Sequence, residues 1–218
     1  MTPPTGSSGS SPEELADAVE AQGIRDPRLL NAIRAVPRAE FVPPGLAGRA
    51  YVDEPLPIAH DQVTTQPSLV ARMVEALALS GPERVLEIGT GFGWQTALLA
   101  RLAAEVWSVE RWPDLAEEAR VRLERIGAAN VAVVVGDGSE GLPEQAPYDA
   151  ILVSAAFPSV PATLPAQLED GGRLVQPLGH GGDEEVVLFK KEDGRLVRRG
   201  MLTRARFVRL HGSHGFPD

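Results

Sequence analysis

Val85-Leu86-Glu87-Ile88-Gly89-Thr90-Gly91-Phe92-Gly93-Trp94-Gln95 is the stretch on which the reading of this chain turns. Residues 85–88 have the makeup of a short buried strand, and from Gln95 to Leu102 apolar residues recur at helical spacing. Gly89, Gly91 and Gly93 therefore fall in a strand-to-helix turn. Glycine tolerates positive φ and lets backbone amides approach a ligand where a Cβ would intrude. A turn of this kind at the carboxyl end of a strand is suited to a nucleotide-like ligand.

Downstream, strands and helices alternate, the pattern of a parallel sheet covered on both faces. The predicted strands are 84–88, 105–109, 131–135, 150–153 and 173–176, with helices near 95–102, 114–126 and 160–168. Residues 184–190 and 205–210 are also strand-like, and Glu192-Asp193-Gly194 supplies a hairpin turn, so antiparallel strands are expected at the C-terminal end. The fold class is α/β: a doubly wound, mostly parallel sheet.

Upstream, Ser11-Pro12-Glu13-Glu14 and Asp26-Pro27 are helix-start signals, the first with a glutamate at the capping-box position. The second helix should end near Val36-Pro37. Phe41-Val42-Pro43-Pro44 and Pro55-Leu56-Pro57 then predict an extended, irregular stretch, His60 to Gln66 a polar loop, and Pro67 a helix stopped by Gly81-Pro82. Residues 1–10, rich in Thr, Pro, Gly and Ser, read as a disordered tail. The expected organisation is one domain over 11–218, with a helical cap and loop at 11–66 and an α/β core at 67–218.

Composition narrows the function. The 218 residues are 43% hydrophobic, which suffices for one folded core. The absence of cysteine excludes disulfides, thiolate metal sites and a cysteine nucleophile. A net charge of −9 argues against nucleic acid as a partner, and no apolar run approaches the roughly 20 residues needed to span a bilayer. A cytoplasmic location is the expectation. So is a monomer, with Lys190 and Lys191 read as charges on an edge strand.

Three strand ends carry candidate ligand chemistry. The first is the glycine turn. The second is Glu110, about twenty residues later, a spacing at which a carboxylate accepts hydrogen bonds from a ribose diol. The third is Gly136-Asp137-Gly138, where an acceptor between glycines suits an adenine amine. The turn lacks the dinucleotide spacing, since Trp94 stands at the third glycine position, and no Lys-Ser/Thr pair follows it as in a phosphate loop. Glu87 before the turn would repel a phosphate but attract an ammonium or sulfonium.

This E-x-G-x-G-x-G pattern resembles the S-adenosyl-L-methionine loop of class I methyltransferases, which have a Rossmann-like fold. From about Val36 to Leu210 the chain resembles the protein-L-isoaspartate O-methyltransferase family more specifically. The resemblance rests on Val36-Pro37-Arg38-Ala39-Glu40-Phe41-Val42-Pro43, Ala50-Tyr51, Pro55-Leu56-Pro57-Ile58, Ile88 to Gln95, Gly136-Asp137-Gly138, Pro147-Tyr148-Asp149, Gly171-Gly172-Arg173-Leu174-Val175 and Arg206-Phe207-Val208. It implies methylation of the free carboxylate of L-isoaspartyl residues in flexible peptide segments, which starts repair through a succinimide.

The resemblance also implies site residues. Glu87, Gly89, Thr90, Gly91, Gly93, Glu110, Asp137 and Gly138 would bind the cofactor; Thr64, Thr65 and Val208 would bind substrate. Thr65 aligns with the family serine held to bind the acceptor carboxylate and is the candidate catalytic residue. Val63 and Asp61 depart from the family's threonine and glycine. His60 reads as a solvated loop residue, and Trp94 and Phe157 as packing residues. A carboxylate ionised at neutral pH needs no general base, and no metal ligands are called for. A dedicated peptide aspartate methyltransferase, transfer to a nucleobase or amine, and a non-catalytic cofactor-binding module remain as alternatives.

Overall fold

The computed structural model describes residues 11–217; the tail expected at 1–10 lies outside them. Helix α1, Pro12–Ala21, begins where Ser11 Oγ accepts the Glu14 amide, and α2, Pro27–Ala35, where Asp26 accepts the amides of Arg28 and Leu29. Each cap satisfies donors that a helix start leaves unpaired. The stretch after α2 is less extended than its prolines suggested. It holds 3-10 turns at Arg38–Phe41, preceded by the extended Pro37, and at Pro44–Arg49, where proline's fixed φ suits the first position of a helical turn. The short strands β1, Leu56–Pro57, and β2, Val63–Thr64, pair antiparallel around the 58–62 loop.

Helix α3, Pro67–Ala76, ends before Gly81-Pro82. Ala78 turns left-handed at φ 48°, and the Glu83 carboxylate takes the amides of Ser80 and Gly81. The alternating region follows: β3 Arg84–Ile88, α4 Trp94–Leu102, β4 Glu105–Glu110, α5 Pro113–Arg125, β5 Val131–Val135, β6 Tyr148–Val153, α6 Thr163–Gln167 and β7 Leu168–Leu178. Strands β8, Glu184–Glu192, and β9, Arg195–Ala205, complete a seven-stranded sheet in the order β5-β4-β3-β6-β7-β8-β9. Pairing is parallel from β5 through β7 and antiparallel from β7 to β9.

The last strand corrects the sequence reading. Asp193 and Gly194, both at positive φ, form a two-residue turn that pairs Glu192 with Arg195, so β9 starts at once rather than at 205. Residues 206–210 leave the ladder: Val208 O accepts the Ala156 amide and Leu210 N donates to Ala156 O. Lys190 and Lys191 lie on β8, an inner strand, so the charged edge is β9, with Arg195, Arg198, Arg199 and Arg204. At the opposite edge, the Arg120 guanidinium of α5 donates to the Val133 carbonyl of β5 at 2.8 and 3.2 Å.

Strand alternation divides the core between the two sheet faces. Val85, Val106 and Leu152 pack with Leu15, Ile33, Val74 and Leu98 from α1 to α4; Leu86, Ile88, Ile151 and Val153 pack with Leu164, Leu168 and Leu210 on the other side. The cap helices thus share a core with the sheet. Strand order reverses between β3 and β6, and the crevice outside their carboxyl ends is where a doubly wound sheet binds ligands.

Candidate active site

A cavity of about 390 Å³ opens at that crevice. Its wall includes Gly89 to Gln95 after β3, Glu110 to Trp112 after β4, Ser154 and Ala155 after β6, Gly138, Val208 to His211, and Gln62 to Thr65 from the loop before α3. The glycine turn and the acceptor loop, separate in sequence, thus face one space.

Gly89, Gly91 and Gly93 all have positive φ, 94°, 56° and 93°. The requirement is strictest at Gly93, which precedes the first residue of α4 and packs on Ala119 and Leu123 of α5; a Cβ there would touch both while holding a left-handed backbone. Gly91 donates its amide to Glu110 Oε2 at 2.8 Å, and Glu110 Oε1 accepts the Trp112 amide at 3.0 Å. Burial pushes the Glu110 carboxyl up, against the opposing effect of the Trp112, Gly91 and Arg111 amides. The carboxylate is therefore fixed in place at the cavity wall, with lone pairs left for hydroxyl donors.

Glu87 does not stand where the sequence reading put it. It is fully buried behind the cavity and absent from its wall, so it makes no direct ion pair with a ligand there. Oε2 accepts from Thr96 and Ser108 hydroxyls at 2.5 Å each, and Oε1 from Gln95 Nε2 at 2.8 Å. Burial raises its pKa to about 7 despite those bonds. Ser108 Oγ lies 2.6 Å from Thr90 Oγ1, and Gln95 Nε2 also donates to Ser154 Oγ at 2.9 Å. Thr90, Gln95 and Ser154 all reach the wall. Glu87 thus organises three cavity residues from one layer back.

Asp137 is likewise displaced from its expected role. Its Oδ1 accepts from the Ser139 amide and hydroxyl, and Oδ2 from the Ser213 amide, so it fastens the C-terminal segment instead of lining the cavity. Burial raises its carboxyl, but the bonds from Ser139 and Ser213 outweigh this and leave it below the ordinary carboxylate range. Gly138 does line the cavity; a Cβ there would overlap Ile88 Cγ2, so the glycine is required by close packing.

Thr64 and Thr65 line the cavity from the loop before α3, and Val208 lines it from the segment after β9. Asp61, which stands where the family has glycine, is exposed and is not part of the wall. His60 is not a free loop residue. It stacks on Trp112 at 4.0 Å with rings 4° from parallel, and its Nε2 donates to Asp114 at 2.8 Å, which ties the loop to the start of α5. Hydrogen bonding from His60 lowers the Asp114 carboxyl.

Sequence reasoning gave no individual role to Arg38, Gln95, Ser154 or Trp112. Arg38 lay inside the matching 36–43 segment without a role; an arginine set among prolines and apolar residues was the available signal, and its full burial shows only in the structure. Trp94 is 5% exposed and lines the cavity, with the Arg38 guanidinium 5.4 Å from its ring centroid.

Comparison with known proteins covers most of the chain. Residues 10–215 match the family described as protein-L-isoaspartate(D-aspartate) O-methyltransferase. A protein-L-isoaspartate O-methyltransferase of Anaeromyxobacter dehalogenans is 56% identical over 83% of this chain and 88% of its own length. One from Methanoculleus marisnigri is 49% identical over 94% and 93%. Among solved structures, a protein-L-isoaspartate O-methyltransferase that is 33% identical superposes with a TM-score of 0.82 over 94% of this chain and 67% of its own. A Plasmodium falciparum structure described as the same enzyme in complex with S-adenosyl-L-homocysteine shares the fold at TM-score 0.81 and 21% identity, over 93% and 99% of the two chains.

Proposed function

The chain belongs to the protein-L-isoaspartate(D-aspartate) O-methyltransferase family, and on that premise we propose how its own residues divide the work of the reaction. The protein is an S-adenosyl-L-methionine-dependent methyltransferase that esterifies the free carboxylate of L-isoaspartyl residues in proteins and peptides. The observation that carries the reading to this chain is the single cavity walled by both the glycine turn and the Gln62–Thr65 loop.

The cavity fits the cofactor. Gly89, Gly91 and Gly93 present backbone without side chains, Glu110 is a fixed carboxylate for two ribose hydroxyls, and Gly138 leaves room beside the sheet. Thr90 and the Gln95–Ser154 pair, held by Glu87, supply further polar contacts around the turn. Held by these residues, S-adenosyl-L-methionine would supply an electrophilic methyl group on a sulfonium, transferable to a carboxylate oxygen with S-adenosyl-L-homocysteine as the leaving group.

The residues of the chain align and exclude water. Thr65 donates its hydroxyl to the acceptor carboxylate and fixes its approach; Thr64 adds a second donor, and Val208 and Trp94 contribute apolar wall to the same space. The carboxylate is already ionised, so no residue removes a proton, and the rate gain comes from holding nucleophile and methyl carbon in line. The ester is then open to attack by the following backbone nitrogen, giving a succinimide after release.

Residues 11–218 act as one domain in this proposal, supported by the core that α1 and α2 share with the sheet. Among the described residues no helix is long and apolar enough to cross a membrane. A cytoplasmic location, a monomeric state and independence from nucleic acid belong to the same proposal; the net charge of −9 supports the last. The deciding experiment presents an isoaspartyl peptide and its aspartyl twin with radiolabelled S-adenosyl-L-methionine. Methylation of the first alone is expected; equal turnover of both would sink the reading.

A further inference from the structure

Arg38 is the largest charged side chain with no exposed surface, and nothing in the reaction described above uses it. Its Nη1 donates to the carbonyls of Ala50 and Val52 at 3.0 and 3.2 Å. Its Nη2 donates to the carbonyls of Glu54 and Thr65 at 3.0 and 3.3 Å and to Thr64 Oγ1 at 2.9 Å. The guanidinium also faces the ring of Trp94, the first residue of the helix after the glycine turn. One cation thus grips both threonines of the acceptor loop from behind and leans on the cofactor-side helix.

Stability alone is a poor reason for this arrangement. A buried guanidinium carries a large desolvation penalty, its Nε has no hydrogen-bond partner, and a well-packed apolar residue at such a site is often as stable or more so. What the arginine does supply is direction. A hydroxyl that accepts a hydrogen bond from Arg38 keeps its own proton for donation, and an ionised carboxylate can only accept. Burial pulls the Arg38 pKa down to about 10, with Asp53 and Glu54 opposing, so the side chain is still a cation at neutral pH. Its charge favours an anionic acceptor in a protein of net charge −9.

Resting on the isoaspartyl methyltransferase reading, we propose that Arg38 is a positioning residue for the acceptor carboxylate: it orients the Thr64 hydroxyl as a donor into the cavity and fixes the backbone at Thr65.

The test compares wild type, Arg38→Lys, Thr64→Val, Thr64→Ser and the Arg38→Lys/Thr64→Val double variant. Affinity for S-adenosyl-L-homocysteine is measured by calorimetry, and kcat and KM with an isoaspartyl peptide. Lysine keeps the charge but lacks the planar fork that reaches both threonines. Arg38→Lys is expected to raise the peptide KM about tenfold while leaving homocysteine-product affinity within about twofold. Thr64→Val should raise KM in the same sense, Thr64→Ser should restore it, and the double variant should be no worse than Arg38→Lys alone, because both act through one contact. Wild-type KM and kcat in Arg38→Lys, an additive double variant, or a parallel loss of product affinity would each overturn the inference. If Arg38→Lys does not fold, Thr64→Val decides: activity equal to wild type overturns it, and a raised KM rescued by serine supports it. A wild type that binds the homocysteine product but esterifies no isoaspartyl peptide overturns the functional reading and the inference together, whereas an active wild type with an indifferent Arg38→Lys overturns the inference alone.

Discussion

Glu110 accepts the backbone amide of Gly91 at 2.8 Å, so the acidic end of β4 and the glycine turn after β3 are braced against each other before any ligand arrives. Replacing Glu110 with Gln keeps the size but sets an amide NH2 against amide donors from Gly91 and Trp112 on one side or the other. The loss of a charge-assisted hydrogen bond on this scale is about 1.5–3 kcal/mol. Affinity for S-adenosyl-L-homocysteine should fall roughly 10- to 100-fold by calorimetry; an unchanged affinity would remove Glu110 from the cofactor site.

Glu87 gives a pH signature. Its folded pKa is raised to about 7 from an ordinary 4.5, so the fold favours the protonated form. Below about 4.5 both states are protonated and the contribution is complete; as pH rises the unfolded chain ionises first, and stability is lost until the folded group ionises near 7, then stays level. At about 1.4 kcal/mol per pKa unit the upper bound is roughly 3 kcal/mol. Urea midpoints from pH 4.5 to 8 should therefore show a falling component in wild type that is missing in Glu87→Gln. Identical profiles for the two proteins would show that Glu87 does not titrate in this window.

Thr65→Ser should keep peptide methylation within a few-fold, while Thr65→Val, which fills the same volume without a donor, should lower kcat/KM about 10- to 100-fold. Homocysteine-product affinity should be the same in both. Full activity in Thr65→Val would leave the acceptor carboxylate without its assigned partner.

Gly138→Ala tests packing rather than chemistry. The added methyl overlaps Ile88 Cγ2 on the strand that feeds the glycine turn. Overpacking of this kind costs about 1–3 kcal/mol, and in a domain of this size each kcal/mol lowers Tm by about 2–4 °C. Calorimetric melting checks it; a Tm equal to wild type would mean that β3 shifts without cost.

The parallel part of the sheet was legible because its strands read as apolar runs; β3, buried along most of its length, and β5, only partly buried at the sheet edge, both have the bounds that their sequences suggest. The β9 strand was not, since an edge strand carrying Arg195, Arg198, Arg199 and Arg204 has no such run, and the more apolar 205–210 segment drew the assignment instead. At the site, glycine spacing marked the turn and loop alignment singled out Thr65, and both reach the cavity wall. Side-chain direction is what sequence spacing lacks: Glu87 points away from the crevice into a polar cluster, Asp137 turns to the C-terminal segment, and Arg38 approaches from the cap.

Arg120 over the Val133 carbonyl and the arginines along β9 bear on how a damaged chain can reach the enzyme. Arg120 occupies one carbonyl of the β5 margin, and along β9 Arg198, Arg199 and Arg204 are ion-paired with Glu185, Glu192 and Asp183, so an incoming polypeptide meets side chains at both margins that it would have to displace to add as a strand. It is left to reach the cavity mouth as an irregular segment without a fixed secondary structure. Discrimination between a loosened, aged region and an intact folded one would then begin at the outline of the sheet, before any carboxylate meets a threonine.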